Sequence, residues 1–126
     1  MKRSLLYLIA SLSVFLFGSL NLHSQSLEEA EELMTKGEQL FGQSKFKEAM
    51  DCFASASRMH KSISGEVDME YSTCRLNMGV IYMNLGDYEK AAALMADAAR
   101  IRKMIVGEGD QRYLNVMFNL GVLYQN

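Results

Sequence analysis

Gly37, Gly79 and Gly121 stand at intervals of 42 residues, and the same offset aligns much of what lies between them. Ala49 meets Ala91, Ala56 meets Ala98, Arg58 meets Arg100, Lys61 meets Lys103 and Ile63 meets Ile105. Gly65-Glu66-Val67-Asp68 meets Gly107-Glu108-Gly109-Asp110, and Tyr71, Asn77, Tyr82 and Asn84 meet Tyr113, Asn119, Tyr124 and Asn126. A unit that recurs in one register is one supersecondary unit, which hides its apolar side by stacking on its neighbours. The register sets repeat one at about 27–67, repeat two at about 68–109 and a partial repeat three at about 110–126. The third unit stops after its first helix, so Leu120, Leu123 and Tyr124 are expected to keep an uncovered side where a stack normally carries a polar cap. Continuation in a longer protein, pairing with another chain, or fraying of the last helix would each answer that exposure.

Within each unit the apolar spacing is helical and no strand pattern competes. Leu27, Ala30, Leu33, Met34, Leu40 and Phe41 share one face, and Ser26 with Glu29 reads as a capping box that opens a first helix over 27–42. A second helix is expected from near Ser44, facing inward through Phe46, Ala49, Met50, Phe53, Ala56 and Met59. A third covers about 68–85 with Tyr71, Cys74, Met78, Ile81 and Leu85 inward, and Gly86 ends it in a left-handed turn. Asp87 caps a fourth, which presents Tyr88, Ala91, Leu94, Met95, Ala98 and Ile101. A fifth covers about 111–125 with Leu114, Met117, Leu120 and Tyr124 inward. Gly79 and Gly121 lie mid-helix, where Gly costs ~1 kcal/mol against Ala; close approach to the partner helix would repay that cost. Phe46 and Tyr88 are the large residues expected between helices. The chain is therefore all-α, built of antiparallel hairpins.

The N-terminus is different in kind. Lys2 and Arg3 precede an apolar stretch, Leu5 to Leu22, and no charge follows Arg3 until Glu28. A basic start, a short apolar run and a small-residue exit mark a secretory signal peptide over 1–26, cleaved after Ser24 or Ser26. The alternative is an uncleaved membrane anchor formed by residues 5–22. Export to a periplasmic or extracellular space is expected, with membrane anchoring by residues 5–22 as the alternative.

These residues resemble the tetratricopeptide repeat (TPR) pattern. Gly in the eighth place, Leu40 or Tyr82 in the eleventh, Gly86 in the fifteenth, Phe46 or Tyr88 in the seventeenth, and Ala in the twentieth and twenty-seventh all match. The 42-residue period is similar to the lengthened repeat of kinesin light chains. The resemblance implies a short α-solenoid behind an N-terminal signal helix. It also implies a concave groove lined by the first helix of each unit. Its groove positions fall on Thr73, Leu76, Asn77, Val80, Met83 and Asn84 in repeat two, and on Asn115, Phe118, Asn119, Val122 and Gln125 in repeat three. Asn77, Val80, Met83, Asn84, Asn119 and Val122 are the partner-binding candidates, because a carboxamide both donates and accepts toward a peptide backbone. The same amides could instead hold neighbouring helices together. The first unit departs from the pattern with Glu38 and Phe41 at groove positions. Met34 and Glu38 also replace the Lys and Asn of the family's clamp for C-terminal carboxylates.

Chemistry beyond binding finds little support. The formal charge is −2, with no basic stripe of the kind nucleic acid demands. His60 is the lone histidine beyond the leader and is expected to be solvated or to face a helix dipole. No HExxH, P-loop or GxSxG motif is present. Cys52 and Cys74 fall on neighbouring helices; two buried thiols are the simpler reading and a disulfide the other. The Gly-Glu-x-Asp loops offer too few carboxylates for a calcium site, and their acids are expected to meet Arg58 with Lys61 and Arg100 with Lys103. No catalytic residue, metal or cofactor is therefore assigned. The reading is a non-enzymatic module for a protein or peptide partner, with possible self-association through the uncapped last helix. The alternative is the N-terminal sensing fragment of a longer bacterial signal-transduction protein.

Overall fold

The computed structural model describes residues 2–125; Met1 and Asn126, with the Asn84–Asn126 match, lie outside the described residues. Five helices follow one another: α1 (Lys2–Gly42), α2 (Phe46–Ser64), α3 (Met69–Asn84), α4 (Tyr88–Val106) and α5 (Gln111–Leu123). No strand occurs among the described residues. α1 pairs with α2 and α3 with α4, and α5 lies against α4, so the units stack in chain order.

The expected start of a helix at residue 27 is not where the chain begins one. α1 is a single helix of 41 residues, about 60 Å long at 1.5 Å per residue. Ser26 does not cap it: its hydroxyl donates back to the Leu22 carbonyl, as Ser24 does to Asn21. The apolar run contains no Pro and only Gly18, so nothing in it stops a helix.

The turns after α1 and α3 occupy equivalent places and differ in chemistry. Gly86 adopts φ 81°, which glycine reaches without a side-chain penalty. Its counterpart is Ser44, at φ 59°, so Ser44 lies in the turn and α2 begins later, at Phe46. Asp87 accepts a hydrogen bond from the Lys90 amide, whereas Lys45 in the same place offers no side-chain cap. The Gly-Glu-x-Asp loops also do local work. Asp68 accepts from the Tyr71 amide at 2.7 Å and Asp110 from the Arg112 amide at 2.9 Å, opening α3 and α5. Lys61 pairs with Glu66 and Lys103 with Glu108, as the loop reading expects. Arg58 and Arg100 do not join them; they hold Ser55 and Asp97.

The close helix contacts fall at the repeated glycines. A Cβ at Gly37 would lie 2.9 Å from the Phe53 ring, and one at Gly79 would lie 2.9 Å from Met95 Cγ and 3.2 Å from the Ala91 carbonyl. Gly121 has nothing within 4 Å. The core divides accordingly. Ala49, Phe53 and Ile81 form one cluster. Ala91, Met95, Ala98, Ala99, Val116, Leu120 and Leu123 form the other. On α5 the buried residues are thus Val116, Leu120 and Leu123, while the expected Leu114, Met117 and Tyr124 are exposed. Leu85 and Tyr88 are exposed as well; Phe46 alone of its pair packs inward, against Phe41 at 5.6 Å between ring centres.

Arg102 ties the second unit to the third. Its guanidinium is buried and donates to Ser72 Oγ at 3.0 Å, Thr73 Oγ1 at 3.0 Å and the Arg112 carbonyl at 2.8 Å. A charge removed from water needs acceptors of this kind, and each of the three guanidinium nitrogens finds one.

Candidate functional site

The sites open to chemistry are few. His60 is not solvated: it is 1% exposed, with Nδ1 3.8 Å from Asp68 Oδ1. Its Nε2 finds no partner among the described residues. The register explains the orphan. His60 stands where the next unit has Arg102, but Ala30 stands where that unit has the Ser72 acceptor. A walled-in imidazole cannot meet a substrate. Cys52 and Cys74 are free and buried, and burial pushes the Cys74 thiol up to about 12, so it stays protonated and inert. Among the described residues no three His, Cys, Asp or Glu side chains gather to hold a metal ion.

The groove candidates separate into engaged and free groups. Thr73 is engaged: its hydroxyl donates to the Met69 carbonyl and accepts from Arg102. Asn84 donates to the Val80 carbonyl at 2.8 Å, and Asn119 donates to the Asn115 carbonyl at 2.8 Å. The Asn115 carboxamide accepts from Gln111. The half-buried Asn77 carboxamide, by contrast, makes no hydrogen bond to the described residues. Val80 and Met83 pack against the second core cluster, and Val122 is half-buried on α5.

Asn77 opens on a small cavity. A notch of about 90 Å³ lies between α1 and α3, lined by Glu38, Phe41, Phe53, Asn77 and Val80. Phe53, on α2, is in the core; Phe41 and Val80 give apolar walls; Glu38 and Asn77 supply polar groups. Two of the six candidates, Asn77 and Val80, thus share one site with two residues that the repeat pattern flagged only as departures, Glu38 and Phe41. Phe53 entered the sequence reading solely as a core residue. The other four candidates do not line this notch.

The N-terminal part of α1 is a second surface. From Arg3 to Gln25 every described side chain is exposed, including Leu5, Leu8, Phe15 and Phe17. The helix is long and apolar enough to cross a membrane, near the N-terminus, where a signal sequence has the same character.

Residues 72–112 match the family model of the tetratricopeptide repeat. Among solved structures, BtubC (BKLC) from P. vanneervenii is similar, with 20% identity and a TM-score of 0.71. The likeness covers 86% of this chain and 47% of that one, so the chain spans about half the length of that protein. No curated protein matches. Residues 72–112 thus carry a tetratricopeptide repeat, and the chain as a whole shares the all-helical, stacked fold of that structure.

Proposed function

We propose that this repeat chain is a non-enzymatic binding module, which holds a peptide or protein segment against the face carried by α1, α3 and α5. Tetratricopeptide repeats as a family suggest protein–protein interaction. One observation carries the finer reading. The Asn77 carboxamide is unengaged and stands at the edge of an apolar notch. Binding sites pair apolar walls with a few placed polar groups. A carboxamide can accept from a peptide N–H and donate to a peptide carbonyl at once.

The test is Asn77→Ala with Asn119→Ala, read by capture of partners from an exported fraction and by far-UV circular dichroism. Capture is lost while helix content stays the same. Because Asn119 already donates to Asn115, Asn77→Ala alone carries most of the loss. A matching loss of helicity would make the amides structural and end the reading.

We also infer export. Lys2 and Arg3 precede an exposed apolar helix, and basic residues before such a helix keep that end on the cytoplasmic side. Cleavage after Ser24 or Ser26 releases the repeats. The second reading, a membrane-anchored sensing fragment of a longer bacterial signalling protein, draws support from α1 running unbroken through that site. The mass of the chain recovered from cells separates them: loss of the leader favours release, retention favours the anchor. Self-association is inferred from α5, where Leu114, Met117, Phe118 and Tyr124 are exposed beside the empty Gly121 face. A concentration-independent monomer in sedimentation would remove that inference.

A further inference from the structure

The α1 residues that line the notch between α1 and α3 are not repeated at the equivalent places of α3. By the 42-residue register Glu38 corresponds to Val80 and Val122, and Phe41 to Met83. In the second unit those places are aliphatic, and Val80, Met83 and Leu76 close onto the core around Met95, Val116 and Leu120. In the first unit a carboxylate and a ring replace them, leaving the cavity open. Among the described residues nothing pairs with Glu38, and no cation lines the cavity. An exposed carboxylate and an unengaged carboxamide thus flank an apolar hole built on Phe41, Phe53 and Val80.

We propose that this notch takes one mid-sized aliphatic side chain of an extended peptide, with a Lys or Arg two residues away set against Glu38. The inference rests on the groove reading above and names the partner's chemistry. Size decides the first half. A dry apolar cavity of ~150 Å³ accepts a benzene ring, so about 90 Å³ suits Val, Leu, Ile or Met and excludes an aromatic residue. Charge decides the second. The only ionised group on the rim is negative, and like charge at an interface is rejected more strongly than opposite charge is rewarded. Spacing follows from the extended chain, in which residues i and i+2 share a face. Asn77 then meets the backbone between them.

The experiment probes an array of random peptides with the full chain held in mild detergent. Captured sequences are enriched in Val, Leu, Ile or Met with Lys or Arg two positions away. Glu38→Lys turns the second preference to Asp or Glu and keeps the first. Glu38→Gln, the milder change, weakens the favoured peptides by about 2- to 5-fold, the range of an exposed ion pair. Val80→Phe fills the notch from its wall and removes the aliphatic preference. Capture without a charge preference, a preference unmoved by Glu38→Lys, or selection of aromatic residues overturns this inference and leaves the groove reading to its Asn77 test. Capture of no peptide overturns both.

Discussion

Gly79→Ala and Gly121→Ala are the same chemical change at equivalent places, and the structure assigns them opposite signs. Both remove glycine from a helix, which favours folding by ~1 kcal/mol in the interior at Gly79 and by less at Gly121, in the last turn of α5. At Gly121 nothing lies within 4 Å of the new methyl, so that gain stands. At Gly79 the methyl would lie 2.9 Å from Met95 Cγ and 3.2 Å from the Ala91 carbonyl oxygen. Met95 can change rotamer, but it is fully buried with neighbours on every side. The carbonyl belongs to helix α4 and moves only if the helix does. Overpacking of this kind costs ~1–3 kcal/mol. The net change at Gly79 is then destabilising by about 0–2 kcal/mol after the propensity gain. Thermal unfolding followed at 222 nm reads the difference, since ~1 kcal/mol moves the midpoint of a domain this size by a few degrees. Gly121→Ala raises the midpoint and Gly79→Ala lowers it. Equal increases would mean that α3 and α4 do not approach as described, and the stacked-hairpin account would lose its central contact.

Other substitutions follow from comparing the units. Ser44→Gly with Lys45→Asp transplants the Gly86-Asp87 turn into the first unit; relief of the left-handed serine and a new N-cap together stabilise by about 1–2 kcal/mol, read by urea unfolding. Arg102→Ala removes the donor shared by the Ser72 and Thr73 hydroxyls and the Arg112 carbonyl and empties its buried place, costing about 2–4 kcal/mol; Arg102→Lys does not rescue it, because an ammonium lacks the planar fork.

Much of this arrangement was legible because repetition amplifies weak local signals. One glycine means little, but Gly37 and Gly79 in register located two helix contacts, and both receive a large side chain from the second helix of the hairpin. The Gly86 turn and the Asp87 cap were readable for the same reason. The errors arose where the units differ. Ser44 was placed at a helix start, although its register partner Gly86 already pointed to a turn. His60 taken alone reads as solvated or facing a helix dipole, yet the spacing Ala49, Phe53, Ala56, His60 continues a buried stripe. Hydrophobicity alone points Leu114 and Tyr124 inward, but among the described residues α5 packs through Val116, Leu120 and Leu123, which leaves them in solvent. The unbroken α1 was hidden because Ser26 and Glu29 imitate a cap, while the apolar run before them is equally helical. Asn77 and Asn119 looked alike; only three-dimensional surroundings reveal that one amide is engaged and the other free.

The proposed binding face is the one bearing Asn77 and Val80, which would receive a partner's chain. Nuclear magnetic resonance of the labelled protein, titrated with a peptide selected on the array, addresses it directly. The account predicts that the Asn77 side-chain amide and the Val80 methyls shift first and most, with Glu38 and Phe41 beside them. Shifts confined to α2 and α4, with Asn77 unmoved at saturation, would contradict it.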